Sequence, residues 1–223
     1  MGTFVFWLFA VLFTLVAAAA ALKYFYSDPM ARRRERALDS QARTMKLSFS
    51  TSDSPELLAY TGGMLTRGRF ARVFNVTQGT WRGRPVYAFD CKHGDFFMSI
   101  CLVPLDASLP DLVIQPHTVA DKLRDQAIAD NVALESEDFS SWFHVGSSSR
   151  KFAYDVCHPR MMTFLMENAG KLGIRIIRSH LVVSDGWLWS PEEYRQVLHV
   201  SADFLDLIPE HVWRLYGRRV ETP

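Results

Sequence analysis

Ser148 and Lys151 stand three residues apart, the spacing that places a nucleophilic hydroxyl and a lysine base together at the opening of a helix. In penicillin-binding enzymes that pair comes with a second Ser-containing motif and a K-T-G strand, and this chain has neither. The run Ser147 to Ser149 also suits a helix cap, which needs serine without needing chemistry. A second set is Cys91-x-His93 and Cys157-His158, with His144 and His180 to spare, four to six nitrogen and sulfur donors of the kind zinc takes. Zinc sites pair ligands as C-x₂₋₄-C or H-x₃₋₅-H, and neither spacing occurs here. Cys157 as a nucleophile would sit at the end of a helix, where the negative pole raises a thiol pKa that activation needs lowered. Asp90, Asp95, Asp155 and Asp185 lie near expected turns and helix ends, where Asp is common for conformational reasons. Gly62-Gly63 is not followed by G-K-[ST], so no phosphate loop is present, and no catalytic residue, metal or cofactor is assigned.

The elements that would position such residues begin with composition. The 223 residues are 48% hydrophobic and 22% charged, which excludes disordered and collagen-like chains and matches one domain, or one with an appendage. The 25 basic and 24 acidic side chains are unevenly spread, because residues 23–46 hold seven Lys or Arg against three Asp or Glu. A nucleic-acid binder carries its positive excess on the folded domain, and here the excess follows an apolar segment, so no nucleic-acid partner is expected.

That segment, Phe4 to Leu22, is an uncharged run of 19 residues. As a helix it would span roughly 28 Å, close to the ~30 Å hydrocarbon core of a bilayer. Trp7 at one end and Tyr24, Phe25 and Tyr26 at the other suit the two interfaces. The alternative is a cleaved secretory signal ending in Ala17 to Ala21, but MGTFVFW lacks the basic start such signals carry. Lys23, Arg32, Arg33, Arg34 and Arg36 then resist translocation, so a single-pass cell-membrane protein is expected, with its amino terminus outside and the remainder in the cytoplasm. The same five residues could meet anionic headgroups at about 1 kcal/mol each. Three cysteines fit a reducing compartment better than a disulfide framework, and a hairpin turning at Gly94 and Asp95 puts Cys91 and Cys101 on opposite faces.

Three parts follow: a transmembrane anchor at 1–26, a basic juxtamembrane helix or linker at 27–53, and a cytoplasmic domain at 54–223. Ser54-Pro55 starts a short helix, and from Phe70 three β-rich runs separated by Arg82-Gly83 and Gly94-Asp95 read as an antiparallel meander. Beyond Pro104 the spacing predicts a strand at Asp111 to Gln115, a helix at His117 to Ala129, and extended chain at Val132 to Glu135 and Phe139 to Val145. Helices are expected from Ser147 through Val156, from Pro159 through Ala169 and after Ser190-Pro191-Glu192-Glu193, with a hairpin of IRIIRS and HLVVSD between. Hairpins with helices inserted between them predict an α+β fold, preceded by the transmembrane helix.

At FNVTQGTWRGRPVYAFDCKHG, at ESEDFSSWFHVGSSSRKFAYDVCHPRMMTFL and at DFLDLIPEHVWRLYG the sequence resembles uncharacterised single-pass membrane proteins of actinobacteria, over most of the chain after about Leu57. The resemblance implies the same architecture and brings no catalytic residue with it. Trp81, Trp142, Trp187, Trp189 and Trp213 could fill a core, line an apolar pocket or form an interface. Trp187 and Trp189, if on a strand, face one side and offer a docking surface. The expected function is a non-enzymatic interaction or scaffold domain at the membrane, touching an unidentified protein or anionic lipid. The alternatives are a membrane-tethered hydrolase using Ser148 and Lys151, and a sensor for an apolar small molecule.

Overall fold

A computed structural model describes residues 30–61, 71–93, 96–117 and 130–219. Residues 30–44 form helix α1, whose positions Arg34, Leu38 and Ala42 recur every four residues and so share one face. Leu38 and Ala42 on that face are 1% and 0% exposed. Met45 and Leu47 continue the buried stripe, and β1 (Ser48–Ser50) then pairs with β2 (Ala71–Trp81). Gly79 on β2 has φ +154°, and a Cβ there would come within 2.8 Å of Leu47 Cδ2, so a bare backbone lets the end of this stripe lie against the sheet.

Strands β2 and β3 (Arg84–His93) meet at Arg82 and Gly83, both with positive φ, the two-residue turn whose twist matches an antiparallel pair. A bulge between Phe74 and Thr77 places Asn75 in the left-handed region at φ +53°. Next come β4 (Phe96–Pro104), β5 (Ala107–Ser108), β6 (Leu112–Pro116) and β7 (Asp130–Asn131). Then follow α2 (Glu137–Trp142), β8 (Phe143–Ser147), α3 (Arg150–Val156) and α4 (Pro159–Asn168). The hairpin β9 (Gly173–Ile177) and β10 (His180–Ser184) leads into α5 (Pro191–Leu207), α6 (Glu210–Tyr216) and β11 (Arg218–Arg219). Nine strands form one antiparallel sheet in the order β1-β2-β3-β4-β10-β9-β6-β8-β7, and β5 and β11 form a separate two-stranded ribbon.

Alternation along the strands divides the core in two. Val86, Ala88, Cys101, Val103, Leu181 and Val183 face the large cluster built with α1, α3, α4, α5 and α6. Phe89, Cys91, Met98, Ile100, Leu102 and Val182 face the other side, where Leu57 of a 3-10 turn (Pro55–Thr61) covers them. Cys91 and Cys101 thus point to opposite faces, and all three cysteines are free and buried.

Several expectations are corrected. The predicted fold class included an N-terminal transmembrane helix, yet among the described residues no helix is long and apolar enough to cross a membrane. Helix α5, 17 residues long, is amphipathic, with Glu192, Glu193 and Arg195 exposed opposite its buried face. The expected anchor at 1–26, with Phe4 to Leu22 and Lys23, lies outside the described residues, as does most of the helix expected at His117 to Ala129. What the described residues build is an antiparallel sheet covered by helices. Residues 30–50, within the segment expected as a basic juxtamembrane helix or linker, are helical over 30–44, and Leu38, Ala42, Met45 and Leu47 join the core while β1 extends the sheet. Phe139 to Val145 is not extended throughout: Ser136 accepts from the Phe139 amide and Glu137 and Asp138 favour a first helical turn, so α2 forms before the chain straightens at Phe143.

Candidate functional site

Asp90, in β3, has no solvent exposure and lies on the helix-covered face of the sheet. A lone buried carboxylate would cost several kcal/mol, so its partners matter more than its charge. Arg34 of α1 donates from Nε to Oδ2 and from Nη2 to Oδ1, both at 2.8 Å, a fork that matches the planar carboxylate. Asn75 Nδ2 donates to Oδ2 at 2.9 Å, while Ser99 Oγ and Tyr194 Oη each donate to Oδ1 at 2.7 Å. The bulge in β2 aims Asn75, β4 supplies Ser99, and the Ser190 capping box at the start of α5 sets the turn that presents Tyr194.

The network continues outward. Arg34 Nη1 donates to the Trp189 carbonyl at 2.7 Å, the Trp189 amide donates to Ser99 Oγ at 3.0 Å, and Ser184 Oγ donates to the Ser99 carbonyl at 2.8 Å. Burial works to lower the Arg34 pKa, but the hydrogen bond and charge of Asp90 outweigh it and raise the net value. Burial, then the charge and hydrogen bond of Asp90, hold the Tyr194 hydroxyl protonated well above its ordinary range. With five donors on two oxygens, Asp90 has no lone pair left for a substrate. It fastens α1 and α5 to the sheet.

Around this junction the sheet ends in exposed aromatics. Phe97 is 43% exposed, with Phe74 edge-on at 6.3 Å and Lys92 Nζ 5.3 Å above its ring. Phe96 is 74% exposed on the other face of the same strand. Segment 185–190 runs alongside, with the Trp187 carbonyl accepting from the Ser99 amide at 2.7 Å, and Trp187 and Leu188 are exposed.

Sequence-derived candidates fall as follows. Of the basic collar, Arg34 turns inward to Asp90, whereas Arg32, Arg33 and Arg36 are exposed, and Lys23 lies outside the described residues. The shared face expected of Trp187 and Trp189 is corrected, because residues 185–190 are not a strand. Trp187 is exposed, while Trp189 is 1% exposed, stacks edge-on against Tyr194 and donates from Nε1 to Asp185 at 2.9 Å. Burial raises the Asp185 pKa, against the lowering effect of its bonds from the Trp187 amide and the Trp189 indole. Ser148 Oγ accepts from the Asp111 amide at 3.0 Å, Ser149 caps α3, and Lys151 is exposed. Asp155 accepts from Tyr216 at 2.7 Å. Asp95 lies outside the described residues.

Burial pushes the Cys101 and Cys157 thiols up to about 12, and burial with the charge of Asp90 does the same to Cys91. His158 caps α4, accepting at Nδ1 from the Met161 amide and donating from Nε2 to the Leu207 carbonyl. His180 stacks on Tyr60 at 4.4 Å, while His144 pairs with Gln115 on the distant strands β6 and β8. Among the described residues no three His, Cys, Asp or Glu side chains come together to hold a metal. An open groove of about 940 Å³ beside α4 and α5 is lined by charged groups, including Arg82 paired with Asp203 and Asp206, with Phe164 and Leu207 beneath.

Sequence reasoning missed the junction because its Arg34, Tyr194 and Trp189 contacts join residues 56 to 155 positions apart. A signal existed: Arg34 heads the i, i+4, i+8 stripe that continues with Leu38 and Ala42.

No protein-family model and no curated protein matches the chain. Among solved structures, its fold is similar to the crystal structure of the mycobacterial trehalose monomycolate transport factor A, TtfA. The match has a TM-score of 0.63 at 17% identity and covers 80% of this chain and 97% of that one. At that identity the likeness concerns the fold alone.

Proposed function

We propose that this chain is a non-enzymatic scaffold associated with lipid transport, working by contact with lipid or with a protein partner at a membrane. The observation that carries this is the fold: the alignment takes in 97% of a transport factor named for a glycolipid, trehalose monomycolate. The Asp90 junction agrees with it, since the best-positioned acid in the described chain is saturated by internal donors and serves to hold helix to sheet. Exposed aromatics beside cations suit contact with an interface or a partner.

Pulse-labelling of envelope lipids in cells depleted of the chain tests the proposal. The expected result is a rise in the unexported precursor relative to its exported product, at an unchanged rate of lipid synthesis. An unchanged ratio, or a drop in synthesis itself, overturns it.

A further inference from the structure

The end of the sheet that carries Phe96 and Phe97 is also the end at which residues 30–33 of α1 lie. Arg34 reaches Asp90 in β3, whereas Leu47, thirteen residues later, lies against Gly79, which pairs with Val86 near the opposite end of β3. Helix α1 therefore runs antiparallel to β3, and the turn that precedes Arg34 lies beyond Asp90, beside Lys92 and its cross-strand partner Phe97. Met30, 77% exposed, is on that turn. Arg32 and Arg36, four apart, project from the side of α1 opposite its buried stripe, and Arg33 flanks it.

One end of the molecule thus collects five exposed apolar side chains, Met30, Phe96, Phe97, Trp187 and Leu188, with Lys92 and Arg33 around them. Two carboxylates at this end are engaged: Asp90 is fully buried, and Asp185 accepts from the Trp187 amide and the Trp189 indole. Rings flanked by cations on long aliphatic stems are the chemistry of the bilayer interface, where the rings lie at headgroup level and the cations meet lipid phosphates. Phe96 and Phe97 project from the end of β4 and Trp187 and Leu188 from the segment beside it, so they insert into a partner and do not receive one.

We infer that this end, formed by the adjoining ends of β3 and β4, segment 185–190 and residues 30–33 of α1, docks onto an anionic bilayer surface, with Phe96, Phe97 and Trp187 at headgroup depth. The inference rests on the membrane-contact reading above and names its surface.

The test uses the full chain with Phe96→Cys carrying an environment-sensitive nitrobenzoxadiazole label, since the three native thiols are buried. Leu215→Cys, exposed on α6, is the control: α6 ends beside Ala107 in β5, beyond the Pro104 end of β4. With vesicles of phosphatidylcholine and phosphatidylglycerol, the label at 96 should shift to the blue and be quenched by a shallow lipid-borne quencher, while the label at 215 stays as in water. Lys92→Gln should reduce the docked fraction about fivefold, the effect of one cation near the surface. Equal response on phosphatidylcholine alone, equal response at 215, or no response at 96 overturns the inference, the last leaving the face to a protein. A label already blue-shifted without vesicles also overturns it, because another part of the chain then covers the patch. The depletion experiment reads transport independently, so loss of this surface and loss of the transport reading are separate outcomes.

Discussion

Arg34→Met is the most informative single change, because it keeps the aliphatic stem that lies against the sheet and removes the charge that neutralises Asp90. Two hydrogen bonds to the carboxylate, one to the Trp189 carbonyl and one to Ser99 Oγ disappear. Asn75, Ser99 and Tyr194 still donate to Asp90, so the cost falls below the full 3–5 kcal/mol of a stranded buried charge. The orphaned Trp189 carbonyl adds about 1 kcal/mol. Arg34 is itself 22% exposed, so part of its own desolvation is recovered on removal. The net expectation is about 3 kcal/mol, or a Tm lower by roughly 6–12 °C for a domain of this size.

Adding Asp90→Asn to Arg34→Met replaces a buried anion by a neutral amide. Stability should then recover relative to the sum of the single changes, with a coupling of about 1.5 kcal/mol or more. Urea unfolding of the four proteins measures the cycle. Arg34 has its folded pKa raised by the hydrogen bond and charge of Asp90, so its contribution is complete below the ordinary guanidinium range and is lost only as pH rises through the higher folded value. The coupling should therefore be the same at pH 6 and pH 9. A loss under about 1 kcal/mol for Arg34→Met, or single effects that add to within about 0.5 kcal/mol, would show that water satisfies Asp90 and that the junction does not fasten α1.

A thiol reagent at pH 8 should label no cysteine in the folded chain and all three after unfolding, since burial holds each thiol near 12; rapid labelling of any one in the native state contradicts that burial. His180 has its pKa lowered by burial against Tyr60, so the unfolded state binds the proton more readily. Stability should be complete above the unfolded value of 6.5 and fall as pH drops through it toward the folded one. A Tm series from pH 8 to pH 5 should show that slope in the parent and a shallower one in His180→Phe, which keeps the stack.

The elements most open to sequence reading were those decided within a few residues. The Arg82-Gly83 turn joins β2 to β3, the Ser190 capping box opens α5, and IRIIRS and HLVVSD pair as β9 and β10, because turn chemistry and caps act over two to four positions. Ser149, and not Ser147, caps α3, a displacement of two residues that three consecutive serines cannot resolve locally. At Phe139 to Val145 aromatic content suggested strand, and the Ser136 cap prevailed for six residues. The 27–53 segment reads as a solvated or lipid-facing helix and linker because its arginines dominate the composition; the four-residue stripe Arg34, Leu38 and Ala42 instead faces inward, which is decided only once a sheet face exists to meet it.

The amino-acid sequence by itself determined the class of elements, the meander, the state of the cysteines as separate thiols on different faces, and the concentration of positive charge ahead of residue 47. Only the tertiary structure decided which arginine is a surface charge and which is half of a buried pair, and which of two tryptophans two residues apart is core. Periodicity places a side chain on a face of its own element. What that face meets depends on contacts between segments a hundred residues apart, and that is where Arg34, Asp90, Ser99, Trp189 and Tyr194 find one another.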